Sequence, residues 1–215
     1  MDDRTLRQQV IDELDWEPTV DAANIGVAAN NGVVTLTGHV PSYAQLIAAE
    51  AAVRRVKGVQ AIAQEIEVRF AGAASHSDED IANRAVLLLK WSAEIPKEAI
   101  QVKVAKGWIS LTGEVEWQYQ RQAAEDSVRS LTGVKGVSNL IVVRPRVVAQ
   151  DVGRAIEAAL KRDARVEAQA IKVIVKDGKV RLEGRVRSWH EREAAERAAW
   201  AAPGVEAVED HLVIG

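Results

Sequence analysis

The sequence predicts an α+β fold used three times in tandem, each copy a three-stranded sheet with two helices on one face. Three observations carry this. The stretch Asn31-Gly-Val-Val-Thr-Leu-Thr-Gly38 returns as Lys106-Gly-Trp-Ile-Ser-Leu-Thr-Gly113 and as Asp177-Gly-Lys-Val-Arg-Leu-Glu-Gly184. In every copy the two glycines are six residues apart, and a further glycine followed by valine (Gly58, Gly133, Gly204) stands twenty residues on. Around these marks the apolar period switches from four to two and back in one fixed order, which makes the chain a repeat of small units.

Each copy opens on an apolar residue every fourth position: Leu6, Val10, Leu14, then Ile81, Ala85, Leu89, then Val152, Ile156, Leu160. That is one face of an amphipathic helix. Asp78 and the two acids after it begin the second such helix, where carboxylates suit free backbone N–H groups. Trp16 and Trp91 share one slot at the helix end, held by Arg162 in the third copy, and read as packing anchors. A short connection follows, carrying Pro18 or Pro96.

The period then becomes two. Ile25, Val27, Ala29 alternate with more polar neighbours, as do Ile100, Val102, Val104 and Ile171, Val173, Val175, so each set predicts a strand with one buried face. Asn31-Gly32, Lys106-Gly107 and Asp177-Gly178 form tight turns in which glycine takes a positive φ. Val34 and Leu36, Ile109 and Leu111, Val180 and Leu182 complete a hairpin that Gly38, Gly113 and Gly184 end.

A second, alanine-rich helix follows, with Ala49, Val53, Val56, then Ala124, Val128, Leu131, then Ala195, Ala199, Ala202 on one face. Its small residues suit close packing on a sheet. Gly58, Gly133 and Gly204 are placed as helix C-caps. A last strand carries Ile62, Ile66, Val68 and its counterparts, so the order is αββαβ. The domains read as 1–70, 78–145 and 146–215, with a linker at 71–77 and Arg144-Pro-Arg146 joining the second and third.

Composition narrows the function. With no cysteine there are no disulfides, thiolate metal sites or cysteine nucleophiles. His39, His76, His190 and His211 fall at unrelated slots without metal-ligand spacing, and no Ser/His/Asp pattern or nucleotide-loop spacing stands out. Neither a catalytic residue nor a cofactor is expected. The start Met-Asp-Asp-Arg lacks the basic and apolar regions of a secretory signal, so the chain as written is expected in the cytoplasm; removal of a leader would place it in the periplasm. No transmembrane run is present. Net charge runs from −4 in residues 1–70 through 0 in 71–145 to +1 in 146–215, so a polyanion meets the third copy first.

On the Gly-x-Val-x-Leu-x-Gly stretch and the Gly-Val twenty residues on, the chain resembles the BON family, named for bacterial osmotically inducible and nodulation proteins. The resemblance covers nearly the whole chain, three times over. It implies a non-enzymatic module of envelope-associated and stress-induced proteins that binds phospholipid surfaces. Chaperone-like roles are known among secreted relatives, and potassium sensing in a cytoplasmic one. The family glycines carry over to Gly32, Gly38 and Gly58, to Gly107, Gly113 and Gly133, and to Gly178, Gly184 and Gly204, where they are read as turns and caps.

Two sets of residues are candidates for binding. Lys172, Lys176, Lys179, Arg181, Arg185 and Arg187 lie on the third hairpin and the loop beyond it, several on the face opposite Val173, Val175 and Leu182. They suit an anionic phospholipid or another polyanion; nucleic acid is disfavoured, because no aromatic platform is interleaved with the charges. Trp117 and Trp189, with Tyr43, mark the start of the second helix, where a ring packs locally or enters a lipid interface. Trp108 and Trp200 stand in slots that look solvent-facing and point to contact between copies or with a partner. The leading expectation is association with anionic phospholipid or a cell-envelope component in stress adaptation. The alternatives are a chaperone-like or scaffolding contact module and a small-ligand or cation sensor.

Overall fold

The computed structural model describes residues 2–70, 77–145, 151–164 and 166–215. The linker at 71–76, His76 within it, and Arg146 lie outside the described residues.

Each copy has the order αββαβ. The first comprises α1 (Asp3–Trp16), β1 (Ile25–Asn30), β2 (Val33–Val40), α2 (Tyr43–Arg55) and β3 (Ala61–Val68). The second comprises α3 (Asp78–Trp91), β4 (Ile100–Ala105), β5 (Trp108–Val115), α4 (Gln118–Arg129) and β6 (Gly136–Val143). The third comprises α5 (Val152–Arg162), β7 (Ile171–Lys176), β8 (Lys179–Val186), α6 (Trp189–Trp200) and β9 (Ala207–Ile214). The sheets are ordered β1-β2-β3, β4-β5-β6 and β7-β8-β9, so the hairpin's second strand is always central.

Registers in the first and third copies coincide slot for slot. β1 runs antiparallel to β2 with Ile25 opposite Gly38, as β7 runs to β8 with Ile171 opposite Gly184. β2 pairs in parallel with β3 from Val33↔Ala61, as β8 does with β9 from Lys179↔Ala207. The parallel pair needs a crossover, which the second helix provides. Both helices therefore cover one sheet face: in the third copy Ile156 and Leu160 of α5, Ala195 and Ala199 of α6, and Val180, Leu182 and Leu212 form one core. Each such Leu or Ile contributes roughly 1.5–3 kcal/mol by burial, and the opposite sheet face is left open.

The turns are of the primed type, with Asn31 and Gly32 at φ 49° and 79°, Lys106 and Gly107 at 54° and 81°, and Asp177 and Gly178 at 49° and 74°. The glycine carbonyl of each turn accepts an N–H from the loop before the last strand: Gln60 to Gly32 at 2.8 Å, Lys135 to Gly107 at 2.9 Å, Glu206 to Gly178 at 2.8 Å. This bond ties each hairpin to the end of its crossover.

The hairpin pairing ends at Gly38 and Gly184, opposite Ile25 and Ile171, while β2 itself runs on to Val40 alongside β3. Two expectations change. Gly58, Gly133 and Gly204 are not helix C-caps: the helices stop at Arg55, Arg129 and Trp200, and the glycines sit in the following loop. Asp78 does not cap its own helix. Ser77 Oγ accepts the Asp80 N–H at 3.1 Å, which frees the Asp78 carboxylate to accept from Lys106 N at 2.7 Å and Gly107 N at 2.9 Å.

The helices of the first copy are linked by Arg55, whose Nε and Nη2 donate to Glu13 and Glu17 at 2.8 Å each. The Glu17 carboxyl is held below its ordinary range, first by the Thr19 hydroxyl and then by Arg55. A carboxylate whose folded value is lowered contributes stability above its unfolded value and loses it as pH falls through the folded one. Glu17→Gln should therefore melt below wild type near neutral pH, the gap closing below about pH 4. Thermal melts followed by circular dichroism across that range check this; a gap independent of pH contradicts it.

Candidate functional site on the third sheet

The open face of the third sheet is built by alternation. Val180, Leu182 and Val186 are locked into the core, so Lys179, Arg181, Glu183 and Arg185 of β8 project outward. Cross-strand register places Lys172 beside Glu183, Ile174 beside Arg181 and Lys176 beside Lys179. On the other side Arg181 faces Glu209, and Glu183 faces His211. Five cations thus share one face with two carboxylates.

These charges are not equivalent. Arg181 Nε and Nη2 donate to Glu209 Oε2 at 2.9 and 2.8 Å. That hydrogen bond, and then the guanidinium charge, hold the Glu209 carboxyl below its usual range. Glu183 makes only loose contacts, 3.9 Å to Lys172 and 3.9 Å to Arg181. Lys176 and Arg185 have no ion-pair partner among the described residues, and Lys179 has only the longer-range pull of Glu209. Arg187 departs from the expected group. It lies beyond the end of β8, where its guanidinium pairs with Glu167 at 2.9 Å and approaches Glu191 at 3.8 Å.

The corresponding faces of the other copies differ in chemistry. The first copy presents Ala28, Thr35 and Ala63 in one row, with Glu65 and Glu67 beyond. The second exposes Leu140 and Val142 on β6 and Trp108 on β5.

The aromatics also divide. Trp16 and Trp91 are each 83% exposed and anchor no packing. On α3, Leu87, Leu88 and Trp91 form an exposed apolar ridge beside the buried Ile81, Ala85 and Leu89; Asp12 and Glu13 hold the two leucine slots in the first copy. Trp108 is 53% exposed, with its ring lying across Gly136. It lines a cleft of about 570 Å³ together with Tyr43, Leu46 and Ile66. Trp117 stands exposed just before α4. Trp189 opens α6 with the Arg192 guanidinium 5.2 Å above its ring, a local cation–π contact. Trp200 is not an outward contact residue: it packs on the third core while Nε1 donates to Glu196 at 3.4 Å.

One slot was missed from the sequence. Gln45, Gln120 and Glu191 each stand seven residues after the hairpin's second glycine, and each accepts backbone N–H groups at the start of the second helix or the loop before the first strand. Gln45 Oε1 accepts from Asp21 at 3.1 Å. Glu191, only 4% exposed, accepts from Glu167 and Arg187 at 2.7 Å each. In the second copy the slot matching Asp21 and Glu167 is Pro96, which has no N–H. Gln120 Oε1 there takes the amides of Glu116 and Trp117 at 3.0 and 3.1 Å.

Among the described residues no group of three His, Asp or Glu side chains is arranged to hold a metal ion, and no helix is long and apolar enough to cross a membrane. The molecule is a tandem array of αββαβ units, each with one open sheet face whose chemistry varies from copy to copy. The BON domain pattern matches residues 2–69, 77–145 and 149–215, and the chain belongs to the BON-domain family. It is 30% identical over 143 residues to the osmotically-inducible protein Y of Escherichia coli strain K12, covering 65% of this chain and 71% of that protein. Two structures of CdsD, a structural protein of the type III secretion system of Chlamydia trachomatis, align at 15% identity. One covers 98% of this chain and 92% of its own at a TM-score of 0.27; the other, a C-terminal domain, covers 100% of each at 0.28. Superpositions that loose carry no weight for fold or partners.

Proposed function

We propose that this protein is a non-enzymatic binding module that associates with anionic phospholipid surfaces through the open sheet face of its third copy. One observation carries the reading: five cations project from a single face that no helix covers, and the two carboxylates among them leave Lys176 and Arg185 unpaired among the described residues. Each basic residue held near an anionic surface contributes about 1 kcal/mol. The attraction acts over about 10 Å at 0.1 M salt and weakens as salt rises. The name of the Escherichia coli relative, osmotically inducible, supports a role in osmotic stress.

Co-sedimentation of the full chain with neutral and anionic vesicles tests this. Lys176→Glu with Arg185→Glu is the informative variant, because neither residue takes part in an ion pair whose loss would disturb the sheet. Wild type should bind anionic vesicles only, and the double variant about tenfold or more weaker. Equal binding of both proteins would overturn the assignment.

The exposed ridge of Leu87, Leu88 and Trp91 favours a second reading, a scaffolding or chaperone-like contact with other proteins. Such binding would tolerate salt and fail on Leu87→Ser with Trp91→Ser, whereas the phospholipid reading requires loss with salt.

A further inference from the structure

We propose that the free edge of β7 is a docking site for an extended acidic peptide, which adds to the third sheet as a fourth strand. β7 is an edge strand in the order β7-β8-β9. Lys176 and Lys179 flank a two-residue turn, so Lys176, Ile174 and Lys172 exchange backbone hydrogen bonds with β8. The N–H and C=O groups of Val173 and Val175 and the C=O of Ile171 consequently point to the open side, the Ile171 N–H being taken by the Ala168 carbonyl.

The first copy closes the same edge. Arg7 Nε reaches from α1 and donates to the Val27 carbonyl at 2.8 Å. In the third copy Val173 holds the slot of Val27, and Gly153 holds the slot of Arg7. No side chain among the described residues donates to the Val173 carbonyl. Nor does geometry demand glycine at 153: its φ is not positive, and an added Cβ would meet only Val175 Cγ2 at 3.5 Å, an ordinary contact. Gly153 is the second residue of α5, and what it provides there is an uncovered strand edge.

The surroundings select the occupant. A cleft of about 570 Å³ lies beside this edge, lined by Leu160, Ile171 and Val173 with Lys161 and Lys172 balanced by Glu157 and Glu183, so the choice of occupant falls to the lysine row of β7 and not to the cleft. The outward row of β7 reads Lys172, Ile174, Lys176, with Lys172 held only loosely at 3.9 Å by Glu183. A strand laid on the edge sets its alternate side chains beside that row, where carboxylates are favoured and cations repelled. A second β7 would bring lysine against lysine, which disfavours self-pairing. In the second copy the slot of Arg7 is Ala82, also too short to reach, but its row of Gln101, Lys103 and Ala105 carries one charge and offers less to an acidic strand. Backbone pairing supplies the affinity and alternate side chains the selectivity, as in other strand-addition complexes.

The test uses the full chain and a fluorescein-labelled, end-capped peptide of about eight residues alternating Glu and Val, followed by polarisation. Binding is expected, and the peptide with Lys in place of Glu should bind at least about tenfold more weakly. Gly153→Arg restores the plug of the first copy; it should abolish binding while leaving thermal stability and vesicle association unchanged. Gly153→Ala, too short to reach Val173, should bind as wild type. Absence of binding up to about 1 mM, equal affinity for the Lys peptide, or undiminished binding to Gly153→Arg would each overturn the proposal. The last of these would mean capture by the open face and not by the strand edge.

Discussion

Gly184→Ala is expected to unfold the third copy. Gly184 sits in β8 with φ at 139°, a conformation L side chains rarely adopt, and an added Cβ would lie far inside contact distance of the Ala170 carbonyl oxygen. The obstacle is backbone, at the end of the short 3-10 turn Ala168–Ala170 that leads into β7, and it cannot swing aside as a side chain would. Gly38 and Gly113 meet the carbonyls of Asn24 and Ala99 in the same way, so the slot belongs to the fold of one unit. Strain and overlap together should cost about 3 kcal/mol or more. A unit of this size has only roughly 4–10 kcal/mol to lose. Urea unfolding should show a transition shifted well below that of wild type, or a third copy already disordered by amide exchange. A Gly184→Ala protein melting with wild type would refute the contact. Gly153→Ala, whose added Cβ makes only an ordinary contact with Val175, should by contrast be tolerated.

Glu191→Ala should have the next largest effect on stability. Its carboxylate, 4% exposed, receives the N–H groups of Glu167 and Arg187 at 2.7 Å each and so ties the loop before β7 to the start of α6. Alanine leaves both donors without acceptors, at about 1–3 kcal/mol apiece. We expect a loss of about 3 kcal/mol in urea unfolding, with little change in vesicle binding where the fold persists, because Glu191 is not on the open face. Glu191→Gln should fall between the two, since one oxygen remains and the amide nitrogen confronts a backbone donor. A loss below about 0.5 kcal/mol for alanine would show that water replaces the carboxylate.

Much of this was legible in the sequence, for physical reasons. The period of Val180 and Leu182 against Val173 and Val175 decides which side chains face the core, and with it that Lys172, Lys176 and Arg181 face away. The pairing of Arg181 with Glu209 was not legible. β8 and β9 are joined through α6, so their register is set by helix packing and not by a local turn. Trp16 was misread although the signal was present: it lies two residues past Leu14, about 200° around the helix from the buried stripe. In the run Val86–Leu89 the four-residue period selected Leu89 alone for the face of Ile81 and Ala85, and the other three are exposed. The Ser42-x-x-Gln45 and Ser188-x-x-Glu191 pairs carry the spacing of a capping box, with Gln45 N and Glu191 N donating to the serine hydroxyls at 3.2 Å. That pattern would have revealed the missed slot. Trp200 defeated the comparison between copies because its ring folds onto the core while its N–H stays outward, an option the arginines in that slot do not need.

The central claim is that the third copy's open face meets the phospholipid surface, and the absence of cysteine allows a direct test. Ile174→Cys places one environment-sensitive label mid-face, between Lys172 and Lys176, and Ala28→Cys places the same label in the matching slot of the first copy. On addition of anionic vesicles the label at 174 should move to a less polar environment and the label at 28 should not. Vesicle binding that leaves the label at 174 unchanged, or that shifts the label at 28 equally, would contradict the account.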